Sequence, residues 1–405
     1  MDIQCLKCKG RHFCKREFCP LQVKIASQKK VNIAAKQDYF GESPNIFVGR
    51  FGYPDINVGI LNVEDYQNHD EPLLWSRENY QIGRIIDLRS AMVNSSFKAG
   101  IKNPISSNRN RFLELSQEIS LAYKPVDVEI SLNKKPVFNL SFNQDTMPYG
   151  PNARLVKAKI TENPKIPASV EKAVSDTDLK AKDALISLRK KGFDEHYLTK
   201  ILSVGNLGIK NQRKLVPTRW SITAVDDQIG KDIMQRIKDY KQADYAAYFG
   251  GYLGNYYLVL LFPDIWRYEL FEAYAGSAKY EWPFGTDYEN YNGREEYAEN
   301  TAGGYYAARL SVLEKLDRLK RQGSCLCLRF ITDEYWAPLG VWVVREAARN
   351  AMKSKAIGFG SKELMITYAK HLVRKKFGYD LDNILKMSKL LKEVEKQGKL
   401  INFFQ

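Results

Sequence analysis

The chain reads as a mixed α/β protein of the α+β kind, and three observations lead there. Short β-like runs punctuated by glycine and proline fill much of the first half, segments with apolar residues at helical intervals dominate the last third, and a cysteine cluster precedes both. With 405 residues and 44% hydrophobic content the chain can bury two or three cores, so a folded two-part body is expected rather than general disorder.

The elements follow in order. Leu21 to Lys36 has the composition of a helix leading from the cysteine cluster into the body. Phe47 to Leu61 reads as two short strands around a turn, with Gly49, Gly52 and Pro54 as punctuation. Val126 to Leu132 and Val137 to Phe142 alternate and read as a hairpin, and Pro164 with Pro167 marks a hinge before a charged helix over Asp178 to Lys191. Helices over Thr301 to Arg321 and Val341 to Lys353 flank a strand from Cys325 to Thr332. The intervening Asp333-Glu-Tyr-Trp-Ala-Pro-Leu-Gly340 has the mixed polar and aromatic composition of a pocket loop. Two basic helices, Ser361 to Phe377 and Asp380 to Lys396, come last, and Gly398 is expected to release a short flexible tail. The longest wholly apolar run, Tyr256 to Phe262, is far too short to span a bilayer, so a soluble cytoplasmic protein with no membrane partner is expected.

Four cysteines lie in the first nineteen residues, Cys5, Cys8, Cys14 and Cys19, and the Cys5-x2-Cys8 step has knuckle spacing. Clustered thiols in a reducing compartment favour metal over disulfides, and four thiolates complete a tetrahedral Zn²⁺ shell. Lys7, Lys9, Arg11, Lys15 and Arg16 lie among these ligands with Phe13 and Phe18 beside them, a composition suited to phosphates and bases; a purely structural zinc clip is the alternative. Cys325 and Cys327 alternate within a strand-like run and read as core.

Formal net charge is +15, and its distribution is informative. Residues 1–36 carry nine Lys/Arg against two Asp/Glu, and residues 352–405 carry twelve against five, leaving a nearly neutral body between two basic ends. Basic surfaces of this kind suit a polyanion, with counterion release as the driving force. Within the body, Arg50 in the glycine-rich turn and the strip Arg213, Arg219 and Trp220 are candidates for phosphate and base contact; Trp220 as a core-strand anchor is the competing reading. Residues 264–299 reverse the balance with nine Asp/Glu. Together with Asp226, Asp227, Asp333 and Glu334 they offer the oxygen ligands a Mg²⁺ site needs, although no spacing is diagnostic and charge compensation explains them as well.

The stretch Gln397-Gly-Lys-Leu400-Ile-Asn-Phe403-Phe404 places a glutamine, an aliphatic and two adjacent aromatics at offsets 0, 3, 6 and 7. In a 3₁₀ turn Leu400 and Phe403 share a face with Phe404 beside them, and Gln397 supplies a directional hydrogen bond. This resembles the PCNA-interacting peptide, with which replication and repair proteins dock on the DNA sliding clamp. The expected layout is a zinc knuckle over 1–22, an N-terminal α/β part over 23–165, a C-terminal α/β part with terminal helices over 166–395, and a clamp-binding peptide over 396–405.

Taken jointly, Cys5-Leu-Lys-Cys8-Lys-Gly, Gly49-Arg-Phe-Gly-Tyr-Pro-Asp-Ile-Asn-Val-Gly59, Pro217-Thr-Arg-Trp-Ser-Ile-Thr-Ala-Val-Asp-Asp227 and the tail resemble the Nre family of archaeal DNA-repair proteins over essentially the whole chain. The resemblance implies a role in the response to DNA damage, with recruitment to DNA through the clamp and a zinc element at the start; it hands over no catalytic residues. A metal- or nucleotide-dependent enzyme acting on damaged DNA, and an RNA-binding module, are the other readings the residues leave open.

Overall fold

Glycine and proline at 49–54 divide the first β-rich run into β1 (Asp38–Val48) and β2 (Asp55–Val63) in a computed structural model that describes residues 19, 22, 26, 35–106, 110–136, 150–275 and 284–401, the last five as backbone only. The turn is closed by Gly49 N–H to Asn57 O at 2.7 Å and Asp55 N–H to Gly52 O at 2.9 Å. Gly52 sits at φ +83°, and a Cβ there would lie 2.9 Å from Asp55 O, so the position demands glycine. The chain divides into two compact units, Met1–Gln228 with Ala337–Leu339, and Ile229–Trp336 with Gly340–Gln405; the proline hinge lies inside the first.

In the first unit, α1 (Pro72–Arg77) and α2 (Ile82–Ala91) precede β3 (Val93–Gly100). Helix α3 (Arg111–Leu121), capped by Asn110 accepting the Phe112 N–H, separates β3 from β4 (Val126–Leu132), and β5 (Asn152–Ile160) completes the set. The strands close into a barrel of order β1-β2-β3-β5-β4. β1 pairs antiparallel with both β2 and β4, β4 pairs antiparallel with β5, and β3 meets β5 in parallel. This is the connectivity of the five-stranded OB barrel, including its helix between the third and fourth strands. Alternate residues point inward, so Ile46, Val48, Ile56, Val58, Ile60, Val126, Val128 and Ile130 fill the core with Leu113 of α3. Each contributes about 1.5–3 kcal/mol relative to exposure. β4 spans the residues expected of it, while the second strand of the expected hairpin, 137–142, lies outside the described residues.

Helices α4 (Ala168–Ser175), α5 (Ala181–Lys190) and α6 (Glu195–Ser203) follow. The charged helix expected from Asp178 starts at Ala181, because the Asp176 carboxylate accepts the N–H groups of Asp178 and Leu179 in a turn. Asp194 caps α6 by accepting the Tyr197 N–H at 2.8 Å. Helix α7 (Thr218–Ile237) begins in the first unit, its first turn laid down by Pro217, whose carbonyl accepts from Trp220 and Ser221.

The second unit holds β6 (Lys241–Gln242), β7 (Ala246–Tyr252), β8 (Asn255–Phe262), β9 (Arg267–Tyr274), β10 (Gly285–Glu289), α8 (Ala302–Leu319), β11 (Arg321–Gln322), β12 (Ser324–Ile331), α9 (Val341–Lys353), β13 (Ile357–Gly358) and α10 (Lys362–Phe377). Its six-stranded sheet runs β10-β9-β12-β8-β7-β13, antiparallel except for β9 beside β12, with β6 and β11 a separate short pair. Leu258, Leu260, Phe271, Leu326, Leu328 and Phe330 turn one face toward Met365, Ala369 and Val373 of α10. Cys325 and Cys327 alternate onto the opposite face, fully buried and free, as core residues.

The last helix expected, Asp380 to Lys396, is two: α11 (Asp382–Met387) and α12 (Lys389–Ile401). The break is made by Glu269 of β9, whose carboxylate accepts the Ser388 hydroxyl at 2.5 Å and the N–H groups of Lys389 and Leu390 at 3.0 Å. A buried acceptor thus satisfies the orphan donors that start α12. Helix α12 runs through Gly398 instead of ending there. Of the tail, the side chains of Gln397 and Leu400 and all of Phe403 and Phe404 lie outside the described residues.

Candidate nucleic-acid interface

Three segments of the first unit are laced together where β1 turns into β2. Val48 N–H donates to Thr218 Oγ1 at 2.9 Å, Ile101 N–H to Pro54 O at 3.0 Å, and Leu215 N–H to Ile101 O at 2.9 Å. This binds the turn at 49–54, the end of β3 and the start of α7 into one surface. Tyr53 and Trp220, far apart in sequence, have ring centroids 6.0 Å apart at an interplanar angle of 51°. Phe51 is 77% exposed, Tyr53 52% and Trp220 48%. Arg50 lies over the Phe51 ring at 5.0 Å. Lys98, Lys102, Lys214 and Arg219 are exposed on the same three segments, with Asp55 the one carboxylate among the exposed residues there.

Arg50, Arg219 and Trp220, expected as phosphate and base contacts, therefore share one surface, to which the structure adds Phe51 and Tyr53. Trp220 is neither in a loop nor in a strand but in the first turn of a helix, which presents its ring to solvent. Arg213 is a different case: its guanidinium donates to the carbonyls of Gly208 and Val174 at 2.7 Å and of Asp176 at 3.1 Å. These bonds engage Nε and one terminal nitrogen, so Arg213 ties the end of α4 and the turn after it to the loop at Gly208.

A second polar centre in this unit went unread in the sequence. Asp70 is buried, and its carboxylate accepts from Arg89 Nη2 at 2.9 Å, His196 Nε2 at 2.8 Å and Asn45 Nδ2 at 2.5 Å. Asn45 reaches it because β1 carries a register shift between Glu42 and Asn45. Burial alone would raise the Asp70 carboxyl, but the charges of His196 and Arg89 outweigh it and hold it well below the usual carboxylate range. Burial likewise opposes the charge on His196, and Asp70 more than compensates, raising it. Nearby, Lys200 is buried with its Nζ donating to Pro44 O at 3.3 Å and Ala122 O at 3.0 Å; burial brings its pKa down to about 8. The His69-Asp70 dipeptide was the available signal, but nothing local points from it to His196.

Among the described residues no group of His, Cys, Asp or Glu could hold a metal ion. Several of the acidic residues that offered oxygen ligands have structural partners: Asp264 with Arg267, Asp287 accepting from Thr301 at 2.8 Å, and Glu289 paired with Arg309 at 2.7 Å. Tyr274 donates to Asp333 at 2.5 Å and Tyr256 to Glu334 at 2.9 Å, so the loop carboxylates serve as acceptors too. Cys5, Cys8 and Cys14, with Lys7, Lys9, Arg11, Lys15 and Arg16, lie outside the described residues, and Cys19 is buried. Among the described residues no helix is long and apolar enough to cross a membrane.

No solved structure matches the chain. By sequence it is similar to the DNA repair protein NreA of Archaeoglobus fulgidus, 39% identical over 93% of this chain and 95% of that protein. It is also similar to the DNA repair protein NreB of the same organism, 35% identical over 89% and 91%, and to NreA of Haloferax volcanii, 38% identical over 78% of each. Residues 13–281 match the family described as archaeal Nre, N-terminal, and residues 289–403 the one described as archaeal Nre, C-terminal. The chain therefore belongs to the archaeal Nre family.

Proposed function

We propose that this chain is a DNA-repair protein that holds DNA on the surface where β1 turns into β2 and is brought to its site of action by the sliding clamp PCNA. The convergence of Arg50, Tyr53 and Trp220 on one exposed surface carries the first half, because cations beside bare aromatic faces are what phosphates and bases require. The names of its relatives support the repair context. Replacing Arg50 and Arg219 together by alanine is expected to weaken binding of a labelled forked DNA about 10-fold at moderate salt and to flatten the salt dependence, each lost phosphate contact removing about 0.7–0.9 from the log–log slope. An unchanged slope would remove this surface from the proposal.

Clamp docking rests on Gln397, Leu400, Phe403 and Phe404 at the spacing of the clamp peptide. Deleting 397–405 should abolish co-elution with PCNA while leaving circular dichroism and DNA binding intact; co-elution that survives deletion defeats it. The zinc element is proposed on its four-cysteine pattern. The purified chain should carry about one Zn²⁺, lost when Cys5 and Cys8 are both replaced by serine. Metal-free protein from a zinc-supplemented preparation would contradict that assignment.

A further inference from the structure

The barrel makes the DNA-binding reading more specific. In OB barrels the face of strands 2 and 3, together with the loop joining strands 1 and 2, is where oligonucleotides lie. Here that loop carries Arg50, Phe51 and Tyr53, and the adjoining outer face of β2 and β3 is open at the register pair Asn57 and Lys98. Farther down β2 the pattern changes: Ile60, Leu61, Asn62 and Val63 are buried without alternation, so the open part of the face is the part next to the loop.

Resting on that reading, we propose that this end of the barrel is a site for single-stranded DNA, with Phe51, Tyr53 and Trp220 stacking unpaired bases and Arg50, Lys98 and Arg219 meeting the phosphates. The chemistry distinguishes strand from duplex. Inside a duplex every base is covered on both faces by its neighbours, and an aromatic ring gains contact with a base only when the base is splayed out. A ring pair built to sandwich one base would stand parallel and about 7 Å apart, twice the stacking distance of about 3.4 Å. Tyr53 and Trp220 are closer than that at 6.0 Å and tilted by 51°, so each offers its own platform to a different base. Phe51, on the same turn and more exposed than either, is a third. Charge agrees: the three segments expose five cations, Arg50, Lys98, Lys102, Lys214 and Arg219, against Asp55.

The test uses the full chain, an oligothymidylate of about 12 nucleotides, and a duplex and an RNA of the same length at matched salt. The oligothymidylate is expected to bind more tightly than the duplex. Phe51→Ala, Tyr53→Ala and Trp220→Ala should each weaken it about 10-fold without changing the salt slope, whereas Lys98→Ala should lower the slope by about 0.7. All four side chains are exposed, and an unchanged melting temperature confirms each fold. As a second readout, oligothymidylate should quench tryptophan fluorescence in the wild type, and Trp220→Phe should remove that quenching while keeping most of the affinity. Equal or tighter duplex binding that depends on Arg50 and Arg219 but not on the rings would overturn the single-strand site and leave the DNA-binding surface standing. Absence of binding to any nucleic acid would overturn both, and RNA preferred over DNA would reject single-stranded DNA as the ligand.

Discussion

Asp70→Ala is expected to destabilise the protein by about 3–5 kcal/mol, because it leaves the buried Arg89 guanidinium without its carboxylate. Arg89 and Asp70 have side-chain exposures of only 5% and 4%, so water cannot substitute for the lost partner. The same carboxylate ties Asn45 of β1 and His196 of α6 to α2, so the loss is distributed over the join between barrel and helices. The pair also sets a pH window. Asp70 titrates lower in the folded state than in the unfolded one, so its stabilisation is present above the unfolded value of about 4 and is lost as pH falls through its depressed folded value. His196 titrates higher, so its contribution is complete below the unfolded value of about 6.5 and fades as pH rises through its raised folded value. Stability from this centre should therefore be greatest between about pH 4 and 6.5, and Asp70→Asn should flatten both flanks. Thermal melting across pH checks it; an Asp70→Asn profile parallel to wild type would refute the coupling.

The second large effect lies in the other unit. Glu289 of β10 accepts Arg309 Nη1 at 2.7 Å and Trp266 Nε1 at 3.0 Å, with side-chain exposures of 0% for Glu289 and 1% for Arg309. Glu289→Ala should cost about 3–5 kcal/mol by removing the buried carboxylate that Arg309 and Trp266 share. The double replacement Glu289→Leu with Arg309→Met should recover part of that loss, since it removes both charges of the pair while the buried Trp266 N–H still loses Glu289. Urea unfolding of wild type, both single variants and the double variant gives the coupling directly. Additive losses would show that the pair does not act as a unit.

Legibility in the sequence followed the range of the determining contact. Strand β4 and helix α9 appear at the residues expected, Val126–Leu132 and Val341–Lys353, because a two-residue or a 3.6-residue apolar period is visible in one short window. The helix expected over 380–396 was half right: its periodicity was real, but Glu269, 119 residues from Ser388, decided where it breaks. The carbonyl contacts of Arg213 were not legible, because a basic residue in a basic strip looks the same whether it faces solvent or closes a loop. Trp220, offered as a base contact or a core-strand anchor, is exposed in the first turn of a helix, and its element was not legible because Pro217 suits both a loop and a helix start.

By itself the sequence determined the mixed α/β class, the basic ends, the cysteine and tail spacings, and the joint motifs by which the family is recognised. Only the tertiary structure decided that β3 closes on β5 to make a barrel, that Asp70 meets His196 across 126 residues, and that the turn at 49–54 shares a surface with the start of α7. The reason is physical: local patterns fix which face of an element is apolar, whereas which elements share that face depends on chain topology and on the few buried polar contacts that make one closure more favourable than another.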